Sequence, residues 1–104
     1  MQFQLNTDNH IDGSEMLETR VNTMVEHHLG RFFPKLTSLK VHLSDANATK
    51  GGSDDKHCSI EARMENEDPL AATHADEDIA KAINGACSKM KSLLNTRIEK
   101  RRSY

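Results

Sequence analysis

The chain has 104 residues, of which 36% are hydrophobic, with no tryptophan and a formal net charge of −2. This length suits one small domain covering residues 1–104. No apolar run approaches the roughly 18 residues of a membrane-spanning helix, and the N-terminus MQFQLNTDNH lacks the cationic start and apolar block of a signal peptide. These features predict a cytoplasmic protein without membrane association, in which Cys58 and Cys87 are reduced thiols.

The first predicted elements are a short strand and a helix. The segment QFQLN alternates between polar and apolar residues, which is typical of a strand. A helix is predicted over about residues 14–30, capped by either Asp12 or Ser14 and ended by Gly30. The residues of its apolar stripe, with one histidine among them, recur at helical spacing: Leu17, Val21, Met24, Val25, His28 and Leu29.

Three further strands are predicted in the middle of the chain. TSLKVHLS and KHCSIEARME both alternate strictly, and the Gly-, Asn- and Asp-rich segment DANATKGGSDD separates them as a loop. The short segment LAATHA is weakly patterned and predicts a fourth strand. The residues expected to point inward from the two alternating strands are Leu39, Val41, Leu43, Cys58, Ile60, Ala62 and Met64.

A second helix closes the chain. Asp76 is its predicted cap, with Glu77 and Asp78 complementing the helix dipole. Gly85 inside the helix indicates close packing, because glycine costs about 1 kcal/mol relative to alanine there. Arg97 and Arg101 take positions of the apolar stripe, which predicts that the helix has run past the sheet. The core stripe is Ile79, Ile83, Ala86, Cys87, Met90 and Leu94.

Together these elements predict an α+β fold in the order β-α-β-β-β-α. Alternating strands have one apolar face that must be covered, and the two amphipathic helices can cover it. The expected architecture is a four-stranded sheet with both helices packed on one face.

Charge is unevenly distributed along the chain. Residues 1–75 carry 12 acidic and 7 basic side chains, whereas residues 76–104 carry 4 acidic and 7 basic ones. Phosphate binding needs several cations within reach of neighbouring phosphates, but a basic helix end can also merely offset the dipole. Both interpretations are open for the cluster of Lys89, Lys91, Arg97, Lys100, Arg101 and Arg102.

Other chemical sites receive little support from the sequence. His27 and His28 are adjacent on a helix, point about 100° apart and so do not share a metal ion easily; His28 is expected to pack in the core. The acidic residues after His74 already serve the start of a helix, and both cysteines point inward. No phosphate-binding loop or nucleophile motif is present. We therefore expect no metal, no cofactor, no small-molecule substrate and no enzymatic activity.

Two segments resemble the ribosome hibernation promoting factor family, also called ribosome-associated inhibitor or sigma-54 modulation protein. HADEDIAKAINGACSKMKSLLN is similar to the family's closing helix, and IDGSEML to its first helix entry. The chain resembles the short form, which lacks a C-terminal dimerising domain. The residues that match the family's closing-helix pattern are Asp78, Ala82, Ile83, Asn84, Lys89, Met90 and Leu94.

The resemblance implies a fold similar to double-stranded RNA-binding domains and a ribosome-binding domain. It also implies binding to ribosomal RNA in the tRNA and mRNA channel of the small ribosomal subunit, inhibition of translation, and a monomer off the ribosome. The basic C-terminal helix end and tail cover about residues 97–104. The RNA-binding residues implied by the resemblance and the basic cluster are Arg20, His27, Arg31, Lys89, Lys91, Arg97, Lys100, Arg101 and Arg102.

Two other functions stay open at this stage. One is a protein-binding regulatory module for a transcription or stress factor, using an acidic strand face; the other, less favoured, is a small enzyme or metal protein. Added salt should weaken RNA binding steeply and a largely apolar protein interface much less. Changing Lys89 and Arg97 together to Glu is expected to abolish ribosome association and leave folding intact.

Overall fold

A computed structural model describes residues 1–8, 14–45 and 56–102. A 3₁₀ helix (Gly30–Lys35) links the first helix to the second strand. The remaining elements, in chain order, are β1 (Gln2–Thr7), α1 (Glu15–Leu29), β2 (Ser38–Asp45), β3 (Lys56–Arg63), β4 (Leu70–Asp76) and α2 (Ile79–Arg102).

The four strands form one mixed sheet in the order β1-β2-β3-β4. β1 and β2 are parallel, and α1 provides the crossover that a parallel pair requires. The other two pairs are antiparallel, and the register aligns Val41 with Ile60 and Ile60 with Ala72. The predicted β-α-β-β-β-α order and the α+β class are confirmed.

One face of the sheet is apolar and the other is polar. Leu39, Val41 and Leu43 of β2 are fully buried, whereas Lys40 and His42 between them are exposed. Both helices bury their apolar stripes against the same sheet face, so that strands and helices share one core. Its helical members are Val21, Val25, Leu29, Ala82, Ile83, Ala86, Cys87, Met90 and Leu94.

The observed bounds of α1 agree with the prediction within one residue. Gly30, however, does not stop the helical path as predicted. The Leu17 N–H donates to Ser14 Oγ at 3.2 Å, so Ser14 is the cap, and Asp12 lies outside the described residues. Gly30 has a right-handed φ of −54° and continues directly into the 3₁₀ helix. In an α-helix the ring of Pro34 would clash with the Gly30 carbonyl four residues earlier, so the α-helix ends before it and a short 3₁₀ helix follows.

The predicted cap of α2 is wrong by two residues. Asp76 is the last residue of β4, where it pairs with Lys56, and this pairing keeps it extended. The Ala80 N–H donates to Asp78 Oδ1 at 2.8 Å, so Asp78 caps the helix.

At Gly85, α2 packs directly against the His74 side chain of β4. A Cβ atom at this position would overlap the imidazole ring of His74. The predicted close packing at Gly85 is therefore confirmed, and the helix lies against the strand with small residues on that side. Because the helix is this close to β4, long side chains on the same flank of α2 can reach the backbone of the strand.

Candidate nucleic-acid interface

Acidic and basic residues lie on different sides of α1. Arg20 and His27 are seven residues apart, two helical turns, so that they share one exposed side, and Arg31 follows one turn later. Arg31 Nη2 donates to Asn95 Oδ1 of α2 at 3.3 Å, so this basic side lies towards α2. The acidic residues lie at other helical angles, and one of them, Glu26, lines a surface depression together with Thr23 and His27; these residues are Glu15, Glu18 and Glu26.

Two side-chain hydrogen bonds join the helices and locate Lys91. His28 Nε2 donates to Asn84 Oδ1 at 2.9 Å, and Arg31 binds Asn95 as described above. Lys91 is seven residues after Asn84 and four before Asn95, and this spacing puts it on the same side of α2. We call Arg20, His27, Arg31 and Lys91 the inter-helix surface.

Asn95 was not identified from the sequence, although its spacing from Asn84 and Lys91 was a signal for a shared helix side. His28 is half-buried between the helices, not packed in the core as expected. Its ring meets that of His27 edge to face, with centroids 5.3 Å apart. The guanidinium of Arg31 also lies 4.7 Å from the centroid of the Phe32 ring, which further fixes its position.

The opposite flank of α2 carries two predicted RNA-binding residues that bond within the chain. Lys89 Nζ donates to the Thr73 carbonyl of β4 at 2.9 Å. Arg97 Nη1 donates to the Asp68 carbonyl at 3.2 Å and lies 3.6 Å from Glu67 Oε2. We call Lys89 and Arg97 the edge flank.

Arg97 corrects the expectation that α2 has passed the sheet at this point. The long side chain reaches back to the turn between β3 and β4, and the next residue, Ile98, still packs against the core. Lys100 is exposed one turn later. Arg101 and Arg102 are the last residues of α2; their side chains, and residues 103–104, lie outside the described part of the chain.

The nine predicted RNA-binding residues therefore divide into three groups. Four lie on the inter-helix surface, two on the edge flank, and three at the end of α2. Within the described ranges, no ion pair involves Arg20, Lys91 or Lys100. These three cations are thus available to an external anion without breaking an internal ion pair.

The open face of the sheet is not acidic. The protein-binding module considered from the sequence was expected to use an acidic strand face, and the described strands do not form one. Glu61 is the acidic residue of this face among the described strands, and Arg63 Nε donates to its Oε1 at 3.2 Å. Lys40 lies next to Glu61 across the β2–β3 pair. Glu65, which the alternation placed on this face, follows the end of β3.

The two cysteines are unsuited to nucleophilic catalysis. Burial raises the pKa of Cys58 to about 12, with a further contribution from the nearby Cys87, and burial raises the pKa of Cys87 to about 11. Both groups are therefore neutral thiols at physiological pH. Among the described residues, no three His, Cys, Asp or Glu side chains are grouped to hold a metal ion.

A comparison with models of protein families identifies the family of this chain. A model of the Sigma 54 modulation protein / S30EA ribosomal protein family matches residues 6–102. The chain belongs to this family. Its members are non-enzymatic, ribosome-associated factors, so the family assignment and the prediction of a non-enzymatic protein are confirmed. A search of curated protein sequences found no significant match.

Two solved structures of low sequence identity share the fold. A ribosomal subunit interface protein from Coxiella burnetii superposes with a TM-score of 0.72 at 14% identity, covering 95% of this chain and 99% of that one. The N-terminal domain of Protein Y from Thermus thermophilus gives 0.64 at 18% identity, covering 89% and 94%. Within the described residues, neither helix has the length and apolar character needed to cross a lipid bilayer.

Proposed function

We propose that this S30EA-family chain is a hibernation factor that binds ribosomal RNA in the tRNA and mRNA channel of the small subunit. By occupying the channel it would inhibit translation sterically, as a cytoplasmic protein that is monomeric off the ribosome. Family membership supports the ribosome as partner. The Coxiella burnetii protein of the same fold is itself described as a ribosomal subunit interface protein.

The observation that carries the proposal is the segregation of charge on the helical layer. Arg20 and His27 share an exposed side of α1 beside His28, which bonds to α2, and Lys91 lies on the side of α2 that carries Asn84 and Asn95. The acidic residues of α1 lie at other helical angles than Arg20, and the one beside this surface is Glu26, next to His27. Cations from two elements can therefore contact neighbouring phosphates without a carboxylate between them.

The remaining predicted residues extend the same interface along α2. Lys100, Arg101 and Arg102 belong to the last turn of the helix, and we propose that they contact phosphates beyond the inter-helix surface. Lys89 and Arg97 are also proposed contacts, but each would have to leave its carbonyl partner. RNA helices are recognised largely by backbone and shape, so hydrogen-bonding side chains such as Asn84 and Asn95 suit the same surface.

The testing experiment is sedimentation of the protein with ribosomes through a density gradient at low and moderate salt. The variant carries Arg20→Glu and Lys91→Glu, and the control carries Lys40→Gln, which removes a cation from the open sheet face without placing a second carboxylate beside Glu61. We expect the double variant to bind at least about 100-fold more weakly, because two phosphate contacts become repulsive. The control should co-sediment like the parent protein, and association should weaken as salt rises.

This pair of variants is a cleaner test than Lys89→Glu with Arg97→Glu. A glutamate at position 97 would lie beside Glu67 and the Asp68 carbonyl, and the fold would be destabilised. Arg20 and Lys91 have no ion pair to lose within the described part of the chain. Association that is unchanged in the Arg20/Lys91 variant would contradict the proposed surface.

A further inference from the structure

Among the described strands, β4 lies at an edge of the sheet, where the backbone groups on its outer side have no partner strand. It pairs with β3 on one side and is the outermost strand of the sheet. Its Thr73 carbonyl accepts a hydrogen bond from Lys89 of α2, so this carbonyl points away from β3. Because strand residues alternate in the side to which their N–H and C=O point, Ala71 and Ala75 also direct theirs outward.

A groove of about 470 Å³ runs between this edge and α2. Leu93 lies in it with 38% of its surface exposed, so that an apolar side chain is available at the bottom of the groove. The strand contributes only small side chains, so an approaching backbone is not obstructed. The residues that line the groove are Ala71, Ala72, Thr73, Lys89, Ser92 and Leu93.

We propose that this groove is a strand-addition site for an extended, acidic peptide segment of a protein partner. The peptide backbone pairs with the outward groups of Ala71, Thr73 and Ala75, as in other edge-strand complexes. A carboxylate of the peptide binds Lys89, and an apolar side chain covers Leu93. The proposal does not depend on ribosome binding, and because Lys89 is also one of the proposed RNA contacts, the peptide and RNA would compete for it.

The position of Lys89 explains why an acidic segment is favoured. Lysine at an exposed strand edge blocks unwanted strand pairing. Lys89 belongs to α2, but its ammonium group has this effect because it binds the Thr73 carbonyl at the edge of β4. A peptide must displace it, and a carboxylate gives the ammonium group a stronger, charge-assisted partner at that moment. Lys89 therefore admits acidic strands and rejects neutral or basic ones.

Two other occupants fit the groove less well. A second copy paired symmetrically through β4 would bring two Lys89 ammonium groups to the same point, since each holds its own Thr73 carbonyl. A nucleic-acid strand would pair with Lys89, but it has no apolar side chain for Leu93 and no regular row of donors and acceptors for the strand edge.

The probe is a fluorescent, end-blocked peptide of about seven residues in which valine and threonine alternate around one central glutamate. One control peptide has lysine instead of glutamate, and another has alternate amides N-methylated. Binding is measured by fluorescence anisotropy, and its location by amide hydrogen exchange. The protein variants are Lys89→Glu and, on the other flank of α2, Lys91→Glu; thermal unfolding verifies that both are folded.

In the free protein the amides of Ala71, Thr73 and Ala75 should exchange rapidly, and the acidic peptide should protect them. Lys89→Glu should weaken the acidic peptide at least about tenfold, roughly 1.4 kcal/mol, and should favour the lysine peptide. Lys91→Glu should leave peptide binding unchanged, whereas the ribosome proposal expects this variant to affect co-sedimentation. The two proposals can therefore fail separately.

Several outcomes would overturn the strand-addition site. These are no binding of the acidic peptide up to about 1 mM, equal binding of the N-methylated peptide, and protection at β1 in place of β4. A dimer that forms without peptide and protects the same amides would assign the groove to a second copy. Protection of these amides by an RNA oligonucleotide, with none by the peptide, would assign Lys89 to RNA.

Discussion

The two flanks of α2 carry similar residues and use them differently. On the β4 flank, Lys89 and Arg97 donate to backbone carbonyls, and Gly85 lies against the His74 ring. On the α1 flank, the hydrogen bonds between described residues join side chains, from His28 of α1 to Asn84 and from Arg31 of the following 3₁₀ helix to Asn95. One flank is fixed to the sheet by close packing and by backbone acceptors, and the other is a polar seam between two helices.

Lys89 and Lys91 are close in sequence but lie on different flanks of α2. They are two residues apart, so that their side chains point about 160° apart around the helix. Lys89 reaches the edge of β4, whereas Lys91 lies towards α1 without an ion pair in the described ranges. A cluster of cations in a helical sequence is therefore not one binding surface until the neighbours of each flank are known.

The largest effect is expected from Gly85→Val on the close-packed flank. The new side chain would overlap His74, and we expect the free energy of unfolding to fall by about 3 kcal/mol, measured by urea denaturation. Ser88→Val, on an exposed part of the same helix, should cost no more than about 0.5 kcal/mol. Adding His74→Ala to Gly85→Val should recover part of the loss; no recovery would mean that His74 is not the obstacle.

The buried thiols of Cys58 in β3 and Cys87 in α2 predict that the protein loses stability at alkaline pH. Their pKa values are raised, so the unfolded chain releases these protons first, and stability is full below pH 9 and falls as pH rises towards 11 and 12. At about pH 9.5 we expect the two thiols together to cost about 2 kcal/mol relative to neutral pH.

The measurement is urea denaturation with reductant at both pH values, and the control is the Cys58→Val, Cys87→Ala variant. Its stability should fall less between neutral pH and pH 9.5 than that of the parent protein. An identical pH dependence in both proteins would show that the loss comes from groups other than these thiols.

Arg97→Met tests the anchoring of the edge flank. The variant keeps the apolar stem and loses both the bond to the Asp68 carbonyl and the ion pair with Glu67. We expect a loss of about 1.5 kcal/mol in the free energy of unfolding, as for hydrogen bonds to charged groups. Lys100→Met, one turn further on at an exposed position, should change stability by less than about 0.5 kcal/mol. Equal losses in the two variants would contradict the view that Arg97 anchors the helix end and Lys100 does not.

The smallest effect is expected at the seam between the helices. The bond from His28 to Asn84 joins two side chains with access to solvent, so its interaction energy should be about 0.5 kcal/mol. A double-mutant cycle with His28→Ala and Asn84→Ala measures it without the separate effect of each alanine on helix propensity. A coupling as large as the Arg97 effect would contradict the view that the α1 flank is the weakly bonded one.

The sequence by itself determined the elements, the covered sheet face and the resemblance to the family. Alternation in β2 and β3 and the apolar stripes of the helices record which side of each element leaves water, and that information is local. Gly85 likewise predicted a close approach, since glycine inside a helix costs stability unless packing requires it. The same reasoning misplaced the cap of α2, because Asp76 and Asp78 are equally good caps locally and only the pairing of Asp76 with Lys56 decides between them.

Only the tertiary structure decided how the cations are divided. Helical spacing shows that Lys89 and Lys91 point apart, but it does not tell which one meets β4 and which one meets α1. That depends on contacts between residues distant in the chain, such as Lys89 with Thr73, Arg97 with Asp68 and Arg31 with Asn95. The physical reason is that a cation binds whichever acceptors lie within its reach, and the packing of α2 between β4 and α1 brings those acceptors together.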